Sequence, residues 1–256
     1  KSTFITRDEA LEMEVKQDPR VHDLEVDNIR NYPLGEQLAH ALGYVGQISE
    51  QQLNESSFST YKSGDIIGQT GVEGYYEGIL KGVDGGEIIE VDATGKKLRT
   101  IRTVAPIAGK NINLTLDADL QQGIYRLLSE TTKKVGSCCA AAVAEDPSSG
   151  QILALVSVPS FDNNLFTKQN DDLQISKIFA DKNAPILNRV IAGTYPPGST
   201  FKILSSIAAL QSTKVTPSTT YEDTGEIFLG PYKFTNWFFT QYGKTEGSVD
   251  MVKALK

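Results

Sequence analysis

The segment Thr194–Lys202, with the sequence TYPPGSTFK, restricts the fold of this chain more than any other stretch. Its two prolines end any preceding helix, a glycine removes the side chain at the turn, and an apolar run follows at once. Ser199 is therefore predicted to lie at a helix N-terminus. Because residues three apart share one helix face, with Cβ atoms roughly 5–6 Å apart, the Lys202 amine could reach the Ser199 hydroxyl. Taken alone, S-x-x-K is also typical of a capping serine followed by a surface lysine.

The helix predicted to carry this pair, through Phe201–Leu210, is apolar on almost all sides. Such a pattern is typical of a helix that is buried in a core. A lysine in a buried helix is energetically costly unless it is paired or uncharged. The expected burial of Lys202 therefore favours a functional pair, in which Lys202 takes the proton of Ser199.

The composition excludes several classes of protein. The 256-residue chain is 39% hydrophobic, which is enough for one or two packed domains, and its net charge of −7 argues against a nucleic-acid-binding protein. No stretch has the length of apolar residues that a membrane-spanning helix needs. The chain begins with Lys1 rather than Met and ends inside an apparent helix, Val249–Lys256. We therefore expect a soluble fragment of a longer protein, cut at both ends.

Residues that commonly bind metals or cofactors are few. Cys138 and Cys139 are adjacent and open an apolar run, so we predict small buried thiols rather than a disulfide or a zinc site. His22 and His40 lack partners at ligand spacing and are predicted to be packed or surface side chains. Lys96 follows a glycine but lacks the other residues of a phosphate-binding loop. We predict no metal and no cofactor.

The first part of the chain is rich in loops. Two capping-box patterns, at Thr6–Glu9 and Thr70–Glu73, predict short helices. Alternation of apolar and polar residues predicts a half-buried strand at Val21–Asp27. Pro106 and Gly109 mark a boundary between this part, residues 1–108, and the rest, 109–256. Two further strands, 87–92 and 97–102, are predicted to form a hairpin.

The second part combines helices with antiparallel strands. Ile112–Leu116 is predicted to be a strand, and Asp117 is predicted to cap an amphipathic helix that ends at Gly136. The nearly continuous apolar residues of Ala140–Ala144 and Ile152–Val158 predict a hairpin that is buried on both faces. The apolar stripe of the helix would pack on this hairpin, which indicates an α+β fold with helices packed on an antiparallel sheet.

Several motifs occur together, and in the same order, in one known family. They are Glu145–Ser157, Pro159–Asp162, Asn188-Arg189 and Tyr195–Lys202 in the second part, and Tyr32–Gly35, Ala39-His40, Leu42–Gly46 and Gly71–Glu73 in the first. In these motifs the chain resembles the class B penicillin-binding proteins, and the elongation type more than the septal type. The resemblance implies a pedestal or linker module of the dimerisation type at 1–108. The N-terminal part of a transpeptidase domain, which is similar to serine β-lactamases in fold, would follow at 109–256.

The resemblance also implies a function, a peptidoglycan D,D-transpeptidase that cross-links stem peptides through a serine acyl-enzyme. Ser199 would be the nucleophile, Lys202 its base, and the Ser199 backbone N–H half of the oxyanion hole. β-Lactam antibiotics would acylate the same serine. The implied partners are stem peptides, the lipid-linked precursor, a SEDS-family glycosyltransferase and other wall-synthesis proteins. An N-terminal membrane helix that this sequence lacks would hold the protein on the periplasmic side of the cytoplasmic membrane.

The chain departs from the family pattern in two places. The second and third superfamily motifs, S-x-N and K-T-G, are missing, and Lys244–Glu246 has Glu where the third motif needs glycine. Some elongation-type members hold a metal with Asp, His and Cys after the active-serine helix. The matching residues 223–247 contain neither His nor Cys, so we expect no metal there. We also expect this chain by itself to be inactive.

Two other functions fit part of the pattern. A serine β-lactamase or a β-lactam-sensing receptor shares the S-x-x-K helix, although the long first module argues against both. A non-catalytic scaffold of the wall-synthesis complex would use that module to bind partners and would leave Ser199 unused.

Overall fold

The computed structural model describes residues 7–16, 29–55, 58–94, 97–167 and 172–255. The chain divides into two compact units, Lys1–Gly193 and Thr194–Lys256. Thr6, His22 and the strand predicted at Val21–Asp27 lie outside the described residues. None of the helices in the described ranges is long and apolar enough to cross a membrane.

The N-terminal part of the first unit is built from short elements, as its many turns and glycines predict. Strand β1 (Val45–Gln47) pairs antiparallel with β2 (Ile66–Gly68). Strand β3 (Gly86–Val91) pairs antiparallel with β4 (Lys97–Val104), which confirms the hairpin predicted from strands 87–92 and 97–102. Ser49 begins helix α3 (Glu50–Leu53) with a capping box whose other member is Gln52. The elements are α1 (Arg7–Lys16), α2 (Ala39–Leu42), β1 (Val45–Gln47), α3 (Glu50–Leu53), β2 (Ile66–Gly68), α4 (Gly71–Tyr75), α5 (Glu77–Leu80), β3 (Gly86–Val91) and β4 (Lys97–Val104).

The capping box predicted at Thr70 does not form, although α4 begins where expected. Thr70 makes no side-chain cap hydrogen bond, and Glu73 is turned into the interior with 7% of the residue exposed. Glu73 Oε1 accepts a hydrogen bond from the Tyr32 hydroxyl at 3.2 Å and lies 2.9 Å from Arg30 Nε. A buried carboxylate needs a cation and hydrogen-bond donors, and these two residues supply them from outside the helix. Burial and the Glu73 carboxylate raise the pKa of Tyr32, which therefore stays protonated.

In the first unit a long helix packs on a hairpin, as predicted. Helix α6 (Ala118–Val135) is capped by Asp117, whose side chain accepts a hydrogen bond from the Leu120 N–H, and it ends at Gly136 in the left-handed conformation. Strands β5 (Ala140–Glu145) and β6 (Ile152–Val158) pair antiparallel. Helix α6 packs on β6, where Ala154, Val156 and Val158 are buried.

Two details of this core differ from the sequence predictions. Residues 112–116 form no strand, because they contact the start of β6 through only a few bonds, such as that from Thr115 Oγ1 to the Ile152 carbonyl at 2.7 Å. Strand β5 is not buried on both faces, since Val143 is 49% exposed. In the described residues β5 pairs with β6 alone, so its apolar sequence exceeds the burial that this sheet provides.

The first unit continues through short helices towards the second unit. A 3-10 turn at Asn163–Phe166 is followed by α7 (Asp172–Ala180) and α8 (Arg189–Ala192). The second unit begins with a 3-10 turn at Gly198–Phe201 that runs into α9 (Lys202–Gln211). Its strands pair antiparallel, β7 (Tyr221–Asp223) with β10 (Gly247–Val249) and β8 (Glu226–Leu229) with β9 (Tyr232–Thr235). The remaining elements are β7 (Tyr221–Asp223), β8 (Glu226–Leu229), β9 (Tyr232–Thr235), α10 (Trp237–Tyr242), β10 (Gly247–Val249) and α11 (Met251–Leu255).

Candidate active site

Ser199 lies in the first turn of the segment that leads into α9, as the Pro-Pro-Gly entrance predicts. Gly198 has a φ of +55°, in the left-handed region that favours glycine, and it redirects the chain into the turn. The Lys202 backbone N–H donates to the Ser199 carbonyl, so the two residues are one 3-10 turn apart. Thr200 Oγ1 donates to the Pro197 carbonyl at 2.6 Å and fixes the turn from the other side. The backbone thus presents Ser199 and Lys202 on consecutive turns of one helical segment.

The predicted burial of this segment is wrong for the chain as described. Ile203, Leu204 and Ile207 are 64%, 58% and 49% exposed, and the side chains of Ser199 and Lys202 are exposed as well. An apolar sequence shows that a helix favours burial, but burial itself requires elements that cover each face. In the described part of the second unit, α11 packs against α9, and this one short helix leaves most of the apolar surface in solvent. The desolvation that we expected at Lys202 is therefore not provided here.

The family motif Asn188-Arg189 has a structural role within the first unit. Asn188 caps α8 by accepting a hydrogen bond from the Val190 N–H. Arg189 is 6% exposed, and its guanidinium donates to the carbonyls of Ala184 at 3.1 Å, Leu187 at 3.3 Å and Asn183. A buried guanidinium with five donors is stabilised by such a ring of carbonyl oxygens. Arg189 therefore organises residues 183–189, the segment that precedes the Ser199 turn in the chain.

His40 is a packed side chain, which confirms the prediction for this residue. It is 9% exposed, its Nε2 lies 2.7 Å from the Pro185 carbonyl, and its ring meets Phe161 edge-on at 5.4 Å. Burial lowers the pKa of His40, the hydrogen bond to Pro185 opposes this, and the nearby Arg189 charge lowers the pKa further. The neutral ring, with its proton on Nε2, is the form that fits this environment.

The lowered pKa of His40 should make stability depend on pH. The unfolded chain binds a proton at His40 more readily than the folded chain does, so the stabilisation is complete above about pH 6.5 and is lost as the pH falls below it. We expect the free energy of unfolding to fall more steeply from about pH 7 to about pH 5 in the wild type than in His40→Gln, which keeps an N–H donor but does not titrate. Urea denaturation at each pH measures both slopes. Equal dependence of the free energy of unfolding on pH in the wild type and in His40→Gln would contradict the lowered pKa of His40.

The motifs at residues 32–43 and 159–164 hold each other in place, a function that the sequence did not reveal. Asn164 Nδ2 donates to the Tyr32 carbonyl and Asn164 Oδ1 accepts from the Tyr32 N–H, at 2.9 and 2.8 Å. Asn163, with none of its surface exposed, donates to the Gly43 carbonyl at 2.9 Å. In the sequence, the two asparagines that follow the Pro-Ser-Phe-Asp motif were the available sign of this role. The sequence pattern could not predict their hydrogen-bond partners, which lie more than a hundred residues earlier in the chain.

Cys138 and Cys139 are not the buried free thiols that we predicted. They are joined to each other by a disulfide, and Cys138 is exposed at the head of β5. The small apolar run that suggested burial begins only after them, in the strand itself.

Residues 223–247, which match the metal-site region of some family members, contain a set of hydrogen bonds centred on Asp223. Asp223 accepts hydrogen bonds from the N–H groups of Gly225 and Glu246, both at 2.9 Å, and from Asn236 Nδ2 at 2.8 Å. The donors at Glu246 and Gly225 lower the pKa of Asp223. Within the described ranges, no group of three or more His, Cys, Asp or Glu residues could hold a metal ion.

Comparisons with known proteins give the same family along the chain. A family model for the penicillin-binding protein dimerisation domain matches residues 2–114, and one for the penicillin-binding protein transpeptidase domain matches residues 140–256. The peptidoglycan D,D-transpeptidase MrdA of Salmonella typhimurium (strain SL1344) is 42% identical over 232 residues, which cover 89% of this chain and 36% of the relative. The chain thus spans about a third of the length of such curated relatives.

Solved structures agree with this result. PBP2 of Helicobacter pylori, in a complex with MreC, has a TM-score of 0.74 and 29% identity, covering 96% of this chain and 43% of that one. A chain of a peptidoglycan synthase complex that couples polymerization and crosslinking has a TM-score of 0.70 and 30% identity, covering 96% and 44%. The chain therefore belongs to the class B penicillin-binding proteins, and among them to the elongation type of PBP2 and MrdA.

Proposed function

We propose that this chain carries the nucleophile of a peptidoglycan D,D-transpeptidase, with Ser199 as the acylated residue and Lys202 as its base. The observation that carries the proposal is the placement of both residues on consecutive turns at the start of α9. This segment falls inside the match to the transpeptidase family model. The position of the serine at a helix N-terminus suits catalysis, because backbone N–H groups of the first turn have no intrahelical acceptor and can bind an oxyanion.

The proposed chemistry is acyl transfer through a serine ester. Ser199 Oγ attacks the carbonyl carbon of the penultimate D-Ala while Lys202 Nζ takes the hydroxyl proton, and the Ser199 N–H binds the oxyanion. The C–N bond to the terminal D-Ala then breaks, and the leaving amine takes the proton from Lys202. The amine of a second stem peptide attacks the ester carbonyl and gives a proton to Lys202. The bond to Ser199 Oγ breaks as Lys202 returns this proton to the oxygen, which forms the cross-link and frees the serine. A β-lactam would open on the same serine and stop at the ester.

The chain's first part is proposed to be the linker module, residues 1–108, with the transpeptidase portion at 109–256. The family models, which match 2–114 and 140–256, support this division. A related PBP2 assembles with MreC, and another neighbour belongs to a peptidoglycan synthase complex. We propose wall-synthesis partners of the same kind here, including a SEDS-family glycosyltransferase. The proposed location is the periplasmic side of the cytoplasmic membrane, where the lipid-linked precursor and the stem peptides are found.

Labelling with a fluorescent penicillin tests the proposal. In the full-length protein we expect stable labelling that Ser199→Ala reduces at least about 100-fold, since removing a nucleophile removes the covalent step itself. Ser205→Ala is the matched control, because Ser205 lies on the same helix with its hydroxyl bonded to the Phe201 carbonyl at 3.2 Å. Mass spectrometry of the labelled peptide locates the adduct. The 256-residue chain by itself should label weakly or not at all, since Lys202 is exposed there.

Other outcomes would assign the protein to a different class. Rapid release of hydrolysed penicillin would identify a β-lactamase, and an unlabelled full-length protein would identify a scaffold in which Ser199 is unused. Stable labelling at a residue other than Ser199 would overturn the site assignment.

A further inference from the structure

The first unit contains an open groove lined by amide and aromatic residues. It has a volume of about 510 Å³ and is formed by the β1 and α3 region on one side and by Phe166 and Phe179 on the other. Amide side chains dominate its polar wall, which contains Gln47, Gln51, Gln52 and Gln69. The proposed acyl transfer at Ser199 does not use these groups.

Two of the amides, those of Gln52 and Gln69, are oriented by their own hydrogen bonds. Gln52 Oε1 accepts from the Ser49 N–H and from Ser49 Oγ, both at 2.9 Å. Gln52 Nε2 donates to Gln69 Oε1 at 3.2 Å, and Gln69 Nε2 donates to the Gln47 carbonyl at 3.2 Å. An amide has two donor hydrogens and an oxygen with two lone pairs. One N–H of Gln52 and one lone pair of Gln69 thus remain for a ligand. Because these two side chains are already held in place, binding a ligand costs little further loss of their conformational entropy.

The opposite wall is aromatic. Tyr44 and Phe166 are stacked with ring centroids 4.2 Å apart, and Phe179 meets Phe166 edge-on at 6.2 Å. Phe179 is 58% exposed, so more than half of this residue is open to solvent. An exposed ring beside oriented amides matches a ligand that has an apolar C–H face and hydroxyl or acetamido groups at its edge. A pyranose sugar has this shape.

The charges of the residues that line the groove favour an uncharged ligand. Among the described residues that line the groove, Glu55 contributes the one carboxylate, and Lys, Arg and His are absent. The Glu55 carboxylate would repel phosphate, sulfate and carboxylate ligands. An uncharged sugar meets no such penalty.

We propose that this groove binds an uncharged N-acetylated oligosaccharide, with a sugar ring on Phe179 and an acetamido group on Gln52 and Gln69. The assignment of the natural ligand as the glycan strand of peptidoglycan rests on the proposed function. Such a subsite would hold the strand between residues of the linker module and of the transpeptidase portion while its stem peptides are cross-linked elsewhere.

Isothermal titration of the 256-residue chain with the tetramer of N-acetylglucosamine tests the proposal. We expect saturable binding that Phe179→Ala weakens about 3- to 10-fold, the loss expected for one ring contact. Leu173→Ala is the matched control, because Leu173 lies on the same helix, is 80% exposed and does not line the groove. It should leave the affinity unchanged. Maltotetraose, which lacks acetamido groups, should bind more weakly than the tetramer, and circular dichroism shows whether each variant is folded.

The outcomes separate this proposal from the catalytic one. Ser199→Ala should keep full affinity for the tetramer while it abolishes penicillin labelling, so either proposal can fail alone. Absence of saturable binding by the wild type, or an equal loss in Phe179→Ala and Leu173→Ala, would overturn the saccharide site. Binding of a free stem peptide instead of the tetramer would make the groove a peptide site and would also overturn it.

Discussion

Gly43→Ala is expected to destabilise the first unit by more than about 3 kcal/mol, a large part of the stability of an ordinary domain. Gly43 has φ +81° and ψ −157°, a conformation that is essentially open to glycine alone. A Cβ atom at this position would lie 1.9 Å from the Thr70 carbonyl oxygen and 2.4 Å from its carbon. Both obstacles are backbone atoms, which cannot rotate away, so α2 and α4 would have to separate.

Gly78→Ala is the matched control for this prediction. Gly78 lies in helix α5, and an added Cβ would meet no atom within 4 Å. We expect a change of at most about 1 kcal/mol, in the stabilising direction, because alanine favours helix more than glycine does. Urea unfolding followed by circular dichroism compares the two variants with the wild type. Similar stabilities for Gly43→Ala and Gly78→Ala would show that the contact with Thr70 is not as tight as described.

Gln121→Leu is expected to lower the free energy of unfolding by about 3–5 kcal/mol, since it leaves three backbone groups without partners at about 1–3 kcal/mol each before relaxation. Gln121 is 1% exposed. Its Nε2 donates to the carbonyls of Gln37 at 2.7 Å and Leu155 at 2.8 Å, and its Oε1 accepts from the Leu155 N–H at 2.8 Å. One side chain therefore links α6, the centre of β6 and the segment before α2. Leucine fills a similar volume but offers no polar atom.

Gln122→Leu changes the same residue type one position later, where the side chain is only half-buried. It should alter stability by less than about 0.5 kcal/mol. Hydrogen exchange gives a second, local measurement, because the Leu155 amide loses its acceptor only in Gln121→Leu. Unchanged protection of that amide in a folded Gln121→Leu variant would refute the proposed role of Gln121.

Sequence patterns predicted the elements of the first unit where the physical cause is local. Asp117 and Gly136 bound α6 because capping and the left-handed turn depend on neighbouring residues alone. The same reasoning failed at Thr70. Glu73 has the spacing of a capping box, but its carboxylate contacts Arg30 and Tyr32 instead. Gln121 gave a usable signal, since it is a polar residue on the helix face that also carries Ile124 and Leu128.

At the candidate site, too, the sequence predicted local features but not those that depend on distant residues. The Pro-Pro-Gly entrance predicted the placement of Ser199 in the first turn and of Lys202 one turn later, and this follows from backbone restrictions over nine residues. The environment of the pair did not follow, because burial depends on which other elements are present to cover α9. The groove was also outside the reach of sequence patterns. One wall is lined by residues between Tyr44 and Gln69 and the other by Phe166 and Phe179, and neither set suggested chemistry by itself.

The sequence by itself determined the family, the α6 and β5–β6 elements, and the serine and lysine on consecutive helical turns, because motifs, caps and dihedral restrictions act within short stretches. Only the tertiary structure decided what surrounds them. It placed His40 against Pro185, 145 residues away, buried Gln121 and Glu73, and left the apolar face of α9 exposed. Such long-range pairings depend on the energy of the whole packed unit, in which a distant residue that satisfies a buried polar group outweighs local preference.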